Sequence, residues 1–163
     1  MQPTIRAIQP EDDPRVATII RRVMTEFACV GEGYSIEDPE VDGMYLAYQG
    51  DKAAFFVVEK NGEVLGCGGF GPLVGAPDHT CELKKMYFLS ELRGLGMGRA
   101  MLEHCITVAV ARGYRRMYLE TVDRMTAANA LYRRRGFRRL PGPEGSTGHG
   151  ACDAFYILDL STE

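Results

Sequence analysis

The sequence lacks any apolar run long enough to cross a membrane. A transmembrane helix needs about 20 consecutive apolar residues, and polar or charged residues interrupt every apolar segment of this chain well before that length. The first residues also lack the basic stretch followed by an apolar one that is typical of a signal peptide. We therefore expect a cytoplasmic protein that does not bind a membrane.

The spacing of cysteine and histidine gives no indication of a metal site or a disulfide framework. No two of the five cysteines form a CxxC pair, and the three histidines lie far apart in the sequence. We expect the cysteines to be reduced thiols, mostly buried in the core, and we expect the protein to need no metal ion.

Positive charge is scarce outside the middle of the chain. Residues 1–83 contain 6 Lys or Arg against 14 Asp or Glu, residues 84–139 contain 13 against 4, and residues 140–163 contain 0 against 4. A pI near 5.7, with no basic and aromatic patch outside the central block, argues against nucleic acid as a partner. This division of charge is also typical of a solvated surface, but it favours an anionic cofactor at the central block and a cationic or amine-bearing partner near the acidic ends.

The pattern of apolar residues predicts alternating strands and helices without an internal repeat or a linker, so we expect one domain over residues 1–163. The predicted strands are Thr4–Ile8, Ala53–Glu59, Glu63–Phe70, Thr80–Leu89, Arg115–Thr121, Phe137–Leu140 and Ala154–Leu160. The predicted helices are one that begins after Asp12 and Asp13 and reaches Phe27, a short one at Val41–Tyr48, and two more at Gly98–Arg112 and Met125–Arg135. The strand, helix and strand between Thr80 and Thr121 predict a right-handed unit with parallel strands.

Two further segments have more than one interpretation. The segment Cys29–Gly50 is rich in acids and tyrosine, and it either lines a pocket for a cation or forms a loop that caps the core. The glycines of Glu63–Phe70 weaken a strand, so they indicate either a bulge or a group that comes close to the backbone. Asn61-Gly62 between two strands predicts a two-residue hairpin turn.

Three glycines at alternate positions, Gly94, Gly96 and Gly98, connect a predicted strand to a predicted helix. Glycine allows a sharp turn and a close approach of a ligand to the backbone. The helix has no capping side chain and no acid in its first turn, and Arg93 and Arg99 flank the loop. A helix N-terminus of this kind, at the end of a strand, favours an anion, most simply a phosphate or a pyrophosphate.

This loop matches neither of two common phosphate-binding motifs. A P-loop requires Lys and then Ser or Thr after its last glycine, and here Arg99-Ala100 follow Gly98. A dinucleotide-binding loop requires G-x-G-x-x-G, and the position of its third glycine holds Arg99. The pattern Arg93-x-x-Gly96-x-Gly98 instead resembles the Q/R-x-x-G-x-G/A motif of the GNAT superfamily of acetyl-CoA-dependent N-acetyltransferases.

A second stretch strengthens the resemblance. Ala128-Asn-Ala-Leu-Tyr132 followed by Gly136-Phe137 is similar to the A-x-x-L-Y-x-x-x-G-F signature of the same superfamily. The resemblance implies an α+β fold, in which helices flank a central, mostly antiparallel sheet of about seven strands that splays apart between the fourth and fifth strands. Acetyl-CoA would lie in this split as the acyl donor, with its pyrophosphate at the glycine loop and its pantetheine arm along the fourth strand.

The resemblance also implies which residues contact the cofactor. They are Met86, Tyr87, Phe88, Arg93, Gly94, Leu95, Gly96, Met97, Gly98, Arg99 and Tyr132. Many members carry Asn where Met125 stands, and we expect Asn129, one turn further along the same helix, to take over part of that contact.

Acetyl transfer to an amine requires a base, a donor for the oxyanion and a proton for the departing thiolate. The resemblance favours Glu82 as the base, because some members carry a catalytic glutamate at this position; Glu120 and a chain of water molecules are the alternatives. It implies Tyr132 as the general acid near the sulfur of CoA, and a backbone N–H near Tyr87 or Phe88 as the donor for the oxyanion.

These features predict an enzyme that transfers an acetyl group directly from acetyl-CoA to a primary amine of a small molecule or amino acid. Acetylation of a protein or peptide at a lysine or an N-terminus is one alternative, and a non-catalytic acyl-CoA-sensing module is another. The presence of both Glu82 and Tyr132 disfavours the sensing module. We interpret His149 and Cys152 as pocket-shaping or structural residues, and the sequence is compatible with a homodimer.

Overall fold

The computed structural model describes residues 2–160, which form a seven-stranded sheet flanked by helices. The strands are β1 (Thr4–Ala7), β2 (Ala54–Lys60), β3 (Glu63–Pro72), β4 (Thr80–Phe88), β5 (Arg116–Thr121), β6 (Arg138–Leu140) and β7 (Ala154–Asp159). Their order across the sheet is β1-β2-β3-β4-β5-β7-β6. All neighbours run antiparallel except β4 and β5, which are parallel. The α+β fold with a mostly antiparallel sheet is therefore confirmed.

Four α-helices connect the strands: α1 (Asp13–Glu26), α2 (Met44–Ala47), α3 (Met97–Ala111) and α4 (Thr126–Arg135). The apolar face predicted for the first helix is buried, because Val16, Ile19, Ile20 and Val23 have almost no exposed surface. Both α1 and α3 pack against β3 and β4. Among residues 2–160, no helix is both long enough and apolar enough to span a membrane.

The short helix predicted at Val41–Tyr48 is interrupted. A 3₁₀ turn covers Pro39–Asp42, α2 covers Met44–Ala47, and Gly43 separates the two with an extended φ of −141°. Glycine loses more conformational freedom in a helix than any other residue, which explains why the helical pattern breaks at this position.

The hairpin predicted at Asn61-Gly62 is confirmed. Lys60 pairs with Glu63 across the turn, and Asn61 and Gly62 have positive φ angles of 55° and 77°. Both central residues of a type I′ turn need a positive φ, and Asn-Gly satisfies that need at little steric cost.

A β-bulge lies in β4 opposite the glycines of β3. Cys67 pairs with Tyr87 and Gly69 with Lys84, so two steps along β3 correspond to three along β4. Lys85 occupies the bulge with a φ of +52°. A second register shift lies in β3 itself, because Val58 and Glu59 of β2 pair with Gly66 and Val64. Close packing requires glycine at Gly69, because a Cβ there would lie 2.3 Å from the carbonyl oxygen of Ala54.

Strands β4 and β5 are paired only near their beginnings. The paired residues are Thr80, Cys81 and Glu82 of β4 with Arg116, Met117 and Tyr118 of β5. Beyond Glu82 the bulge alters the course of β4, since a bulge bends its strand and locally disrupts the ladder. The expected splay between the fourth and fifth strands is therefore present, and it opens a cleft in the middle of the sheet.

Candidate active site

The glycine loop forms one wall of a groove of about 470 Å³, which we call the loop groove. Its other walls come from the end of β4 and the start of α4. The predicted cofactor contacts that line it are Met86, Tyr87, Phe88, Arg93, Gly94, Gly96, Met97, Gly98 and Arg99. Leu95 belongs to the same loop but does not line the groove, and it is 49% exposed.

The conformation of the loop explains two of its glycines. Gly94 and Gly96 have φ angles of +83° and +76°, which side-chain-bearing residues rarely adopt. Gly96 is the N-cap of α3 and has no side chain to accept a hydrogen bond from the first turn. The first N–H groups of a helix have no partner within the helix, so those of α3 are available to an anion in the groove.

The arginines around the loop groove differ in what they contact. Arg93 donates hydrogen bonds to Glu26 at 2.5 and 2.9 Å and to the carbonyl oxygen of Phe88 at 3.0 Å. The carboxylate of Glu26 therefore offsets the charge that the sequence pattern attributed to Arg93. Arg99 and Arg134 line the groove without an ion pair among the described residues. Arg134 was missed at the sequence level because it lies in α4, outside the glycine motif.

Tyr132 lies in the cleft between β4 and β5, which we call the strand cleft. The residue is buried, with 6% of its surface exposed, and its hydroxyl has no hydrogen-bond partner among the described residues. Burial raises the pKa of Tyr132 above its ordinary value. The hydroxyl is therefore protonated at neutral pH and free to donate a proton into the cleft.

Both candidate bases line a small cavity of about 50 Å³, which we call the carboxylate pocket. The side chain of Glu82 is 6% exposed, and its Oε1 lies 3.8 Å from the Lys84 Nζ. Burial raises the pKa of Glu82 to about 7, against the opposing effect of the Lys84 cation. Glu120 accepts hydrogen bonds from the hydroxyls of Tyr118 at 2.5 Å and Thr147 at 2.6 Å. A carboxylate with a pKa near neutrality can accept a proton and release it again at physiological pH.

Comparison with known proteins places this geometry in a family. The family model described as "Acetyltransferase (GNAT) family" matches residues 18–137. A protein from Escherichia coli K12 named "Uncharacterized N-acetyltransferase YjgM" is 37% identical over 159 residues, which cover 97% of this chain and 95% of that protein. The chain belongs to the GNAT family of acetyltransferases. It is therefore an acyltransferase enzyme by family.

Solved structures share the fold of this GNAT acetyltransferase. A GNAT-family acetyltransferase from Staphylococcus aureus Mu50 has a TM-score of 0.85 at 20% identity, covering 98% of this chain and 100% of that one. The protein yncA from Salmonella typhimurium, solved with its cofactor acetyl-CoA, has a TM-score of 0.76 at 23% identity, covering 99% and 95%. At these identities the likeness concerns the fold.

Asn129 makes hydrogen bonds within the protein, and its expected contact with the cofactor stays a prediction. Its side-chain nitrogen donates to the carbonyl oxygens of Val122 at 3.0 Å and Met125 at 2.8 Å, and its oxygen accepts from the Tyr156 hydroxyl at 2.6 Å. The residue is 3% exposed and does not line the loop groove. The amide therefore already has three hydrogen-bond partners within the protein.

His149 belongs to the carboxylate pocket, a position that its sequence context did not reveal. Its Nε2 lies 3.0 Å from both carboxylate oxygens of Asp38, and its Nδ1 lies 3.8 Å from Oε1 of Glu120. Ligand atoms of Glu82, Glu120 and His149 all lie within 4.8 Å of one another. The two carboxylates of this cluster suit an ammonium group, and the expectation of a metal-free site stays a prediction. No local pattern indicates this site, because 111 residues separate His149 from Asp38.

Lys85 at the bulge of β4 connects the acidic segment to the site. Its Nζ donates to Asp38 at 2.7 Å and to Glu40 at 2.8 Å, and its side chain is 1% exposed. A buried ammonium group needs such partners, because removing it from water without them is costly. Two of the acids between Cys29 and Gly50 therefore pair with a buried lysine, and Cys29, Tyr34 and Ser35 of the same segment line the carboxylate pocket. Cys152 also lines the pocket, in agreement with a pocket-shaping role.

Proposed function

We propose that this chain transfers an acetyl group from acetyl-CoA directly to a primary amine of a small molecule. One observation carries the proposal: the loop groove, the strand cleft and the carboxylate pocket share Tyr87 and Met125 in their linings. The three cavities therefore adjoin one another. A donor in the loop groove can extend past the Tyr132 hydroxyl toward an amine beside Glu82.

The loop groove suits the diphosphate of CoA. The open N-terminus of α3 offers backbone N–H groups and the positive end of the helix dipole, which together favour an anion. Hydrogen bonds to a charged group contribute about 1.5 to 3 kcal/mol each, so a few of them account for substantial affinity. Arg99 and Arg134 line the same groove and can pair with further phosphate oxygens. The relative solved with acetyl-CoA supports this donor.

The exposed edge of β4 suits the pantetheine arm. Because β4 separates from β5 after Glu82, the backbone groups on that edge of Met86–Phe88 have no β5 partner, whereas Tyr87 pairs with Cys67 of β3. Amide groups of pantetheine can pair with them as an added strand would. A backbone N–H of the same segment, near Tyr87 or Phe88, would then meet the oxyanion that forms at the acetyl carbon.

The proton balance assigns roles to Glu82 and Tyr132. An alkyl ammonium, with a pKa near 10, first loses a proton to the carboxylate of Glu82, and that proton later passes to water. The free amine attacks the acetyl carbon, the C–N bond forms, and the C–S bond breaks. The thiolate takes a proton from Tyr132, and the second proton of the nitrogen restores the tyrosine. The net products are the amide, CoA with its thiol protonated, and one proton.

The carboxylate pocket suits an ammonium group on a slender chain. A cavity of about 50 Å³ admits the end of the acceptor and excludes a bulky group at the nitrogen. The carboxylates around this space, those of Asp38, Glu40, Glu82 and Glu120, outnumber its cations, which are Lys84, Lys85 and the protonated His149. The local charge therefore favours a cationic acceptor.

The proposal is tested by measuring thiol release from acetyl-CoA with a panel of amines. The panel pairs each alkylamine with the amino acid that carries a carboxylate beside the same amine, and it includes a lysine-containing peptide. We expect turnover with slender cationic amines and weaker turnover with their carboxylated counterparts. Preferred turnover of the peptide would favour protein acetylation, and tight acetyl-CoA binding without turnover of any amine would contradict the enzyme function.

A further inference from the structure

The loop between β6 and β7 covers the carboxylate pocket and is attached to three other parts of the fold. The Ser146 N–H donates to the carbonyl oxygen of Val74 at 2.6 Å, and Arg116 pairs with Glu144 at 3.0 Å. The Ala151 N–H donates to the carbonyl oxygen of Gly33 at 3.1 Å. These contacts give His149, within the same loop, a defined position over the pocket.

The orientation of the His149 ring follows from its two neighbours. Asp38 accepts at Nε2, so this nitrogen carries a proton, and Nδ1 is turned toward Glu120. Asp38 is itself fixed by Lys85. Burial alone would raise the pKa of Asp38, but the hydrogen bonds from His149 and Lys85 outweigh that effect and lower it. Asp38 is therefore a carboxylate, and it favours the doubly protonated, cationic imidazolium.

The charges that face the imidazole come from every segment around it. They are Asp38 from the segment before α2, Glu82, Lys84 and Lys85 from β4, and Glu120 from β5. Glu40 pairs with Lys85, and Cys152 of the same loop lines the pocket as a neutral thiol. The hydrogen bond to Asp38 raises the pKa of His149, and the charge of Glu82 adds to that effect, against burial and Lys85. Acids therefore dominate the surroundings of the ring.

We propose that His149, held by Asp38, is a positioning residue whose positive charge keeps the carboxylates of Glu82 and Glu120 ionised side by side in the carboxylate pocket. Two carboxylates this close disfavour each other's ionised form, and a cation beside them relieves the repulsion. The inference rests on the proposed function, because it matters for catalysis if Glu82 deprotonates the amine. Its effect on the charge of Glu82 is independent of any substrate.

The test replaces His149 by a neutral and by a cationic residue. In His149→Asn we expect the carboxyl group of Glu82 to titrate about one pH unit or more higher than in the wild type, since an opposite charge at this distance shifts a pKa by about 1 to 3 units. The acidic limb of kcat/KM should move to higher pH by the same amount. In His149→Lys, which keeps the charge, we expect both to remain near the wild-type value.

Carbon-13 NMR of labelled glutamate carboxyl groups in the free protein measures the titration directly, and a pH profile of kcat/KM measures its consequence. His79→Asn is the matched control, because His79 is exposed and lies outside the carboxylate pocket. Circular dichroism confirms that each variant is folded. An unchanged Glu82 titration in His149→Asn, or an equal shift in the asparagine and lysine variants, would overturn the proposal. A wild-type protein without amine turnover would contradict the proposed function, and the NMR titration would still decide the role of His149.

Discussion

Glu82 and Glu120 place carboxylate oxygens within 4.8 Å of each other, yet their surroundings differ. Glu120 accepts hydrogen bonds from two hydroxyl groups, those of Tyr118 and Thr147, whereas Glu82 accepts none among the described residues. Hydrogen bonds to a carboxylate favour its charged form, and burial without them disfavours it. The two acids therefore have different chemistry, and Glu82 is the better proton acceptor near neutral pH.

Replacement of Glu82 by glutamine should remove the base. We expect kcat/KM to fall by about 10² to 10⁴ at neutral pH. The wild-type value should rise with pH through about 7, where Glu82 becomes ionised, and this acidic limb should disappear in the variant. Glu120→Gln is the matched comparison and should retain the limb. A limb that is lost in Glu120→Gln and kept in Glu82→Gln would reverse the assignment.

The raised pKa of Glu82 also predicts how stability depends on pH. An unfolded glutamate titrates near 4.3 and the folded one near 7, so the folded state binds more protons between these values. The free energy of unfolding should therefore fall as pH rises from about 4 to 7. Glu82→Gln removes this dependence and should be more stable than the wild type at pH 8, by on the order of 3 to 4 kcal/mol, since one pKa unit corresponds to about 1.4 kcal/mol.

Urea unfolding of the wild type and of Glu82→Gln at pH 4 and pH 8 measures this difference. Glu63→Gln serves as a control, because Glu63 is an exposed residue that pairs with Arg15 at the surface. We expect the control to follow the wild type at both pH values. If the free energy of unfolding changes equally with pH in Glu82→Gln and in the wild type, ionisation of Glu82 does not destabilise the folded state.

Tyr132→Phe should slow the chemical step while acetyl-CoA still binds. The hydroxyl has no hydrogen-bond partner among the described residues, so its removal should cost little stability, and kcat should fall by about 10² or more. Steady-state kinetics with calorimetry of CoA binding separates the two effects. Tyr114→Phe, which removes a hydroxyl bonded to the carbonyl oxygen of Lys52 away from the site, should leave kcat unchanged. A loss of CoA affinity in Tyr132→Phe would indicate a structural role instead.

Gly96→Ala should weaken CoA binding as well as stability. A methyl group at this position meets no atom within 4 Å, but the φ of +76° is unfavourable for alanine by about 1 to 2 kcal/mol. Gly62→Ala is a matched control, since Gly62 has a φ of +77° and equally open space in the hairpin turn. We expect similar losses of stability in both variants and a raised Kd for CoA in Gly96→Ala alone. Equal affinity in the two variants would argue against the loop as the phosphate site.

Local sequence patterns were sufficient to predict several elements of this protein. The hairpin at Asn61-Gly62, the amphipathic face of α1 and the open start of α3 depend on residues close in sequence, so spacing alone predicted them. The splay between β4 and β5 was expected from the motifs around the glycine loop, through the resemblance to a family. Glu82 and Tyr132 were named in the same way, and their roles stay predictions.

The tertiary structure decided what the side chains meet. Asp38 reaches His149 across 111 residues, and Glu26 reaches Arg93 across 67, so neither pair leaves a periodic signal in the sequence. The sequence suggested that Asn129 contacts the cofactor, and the structure shows its amide hydrogen-bonded to Val122 and Tyr156. The chain by itself thus determined the family and most of the elements, and the anion site stays a prediction. The charge state of the carboxylate pocket depends on long-range contacts and burial, which exist only once the sheet has formed.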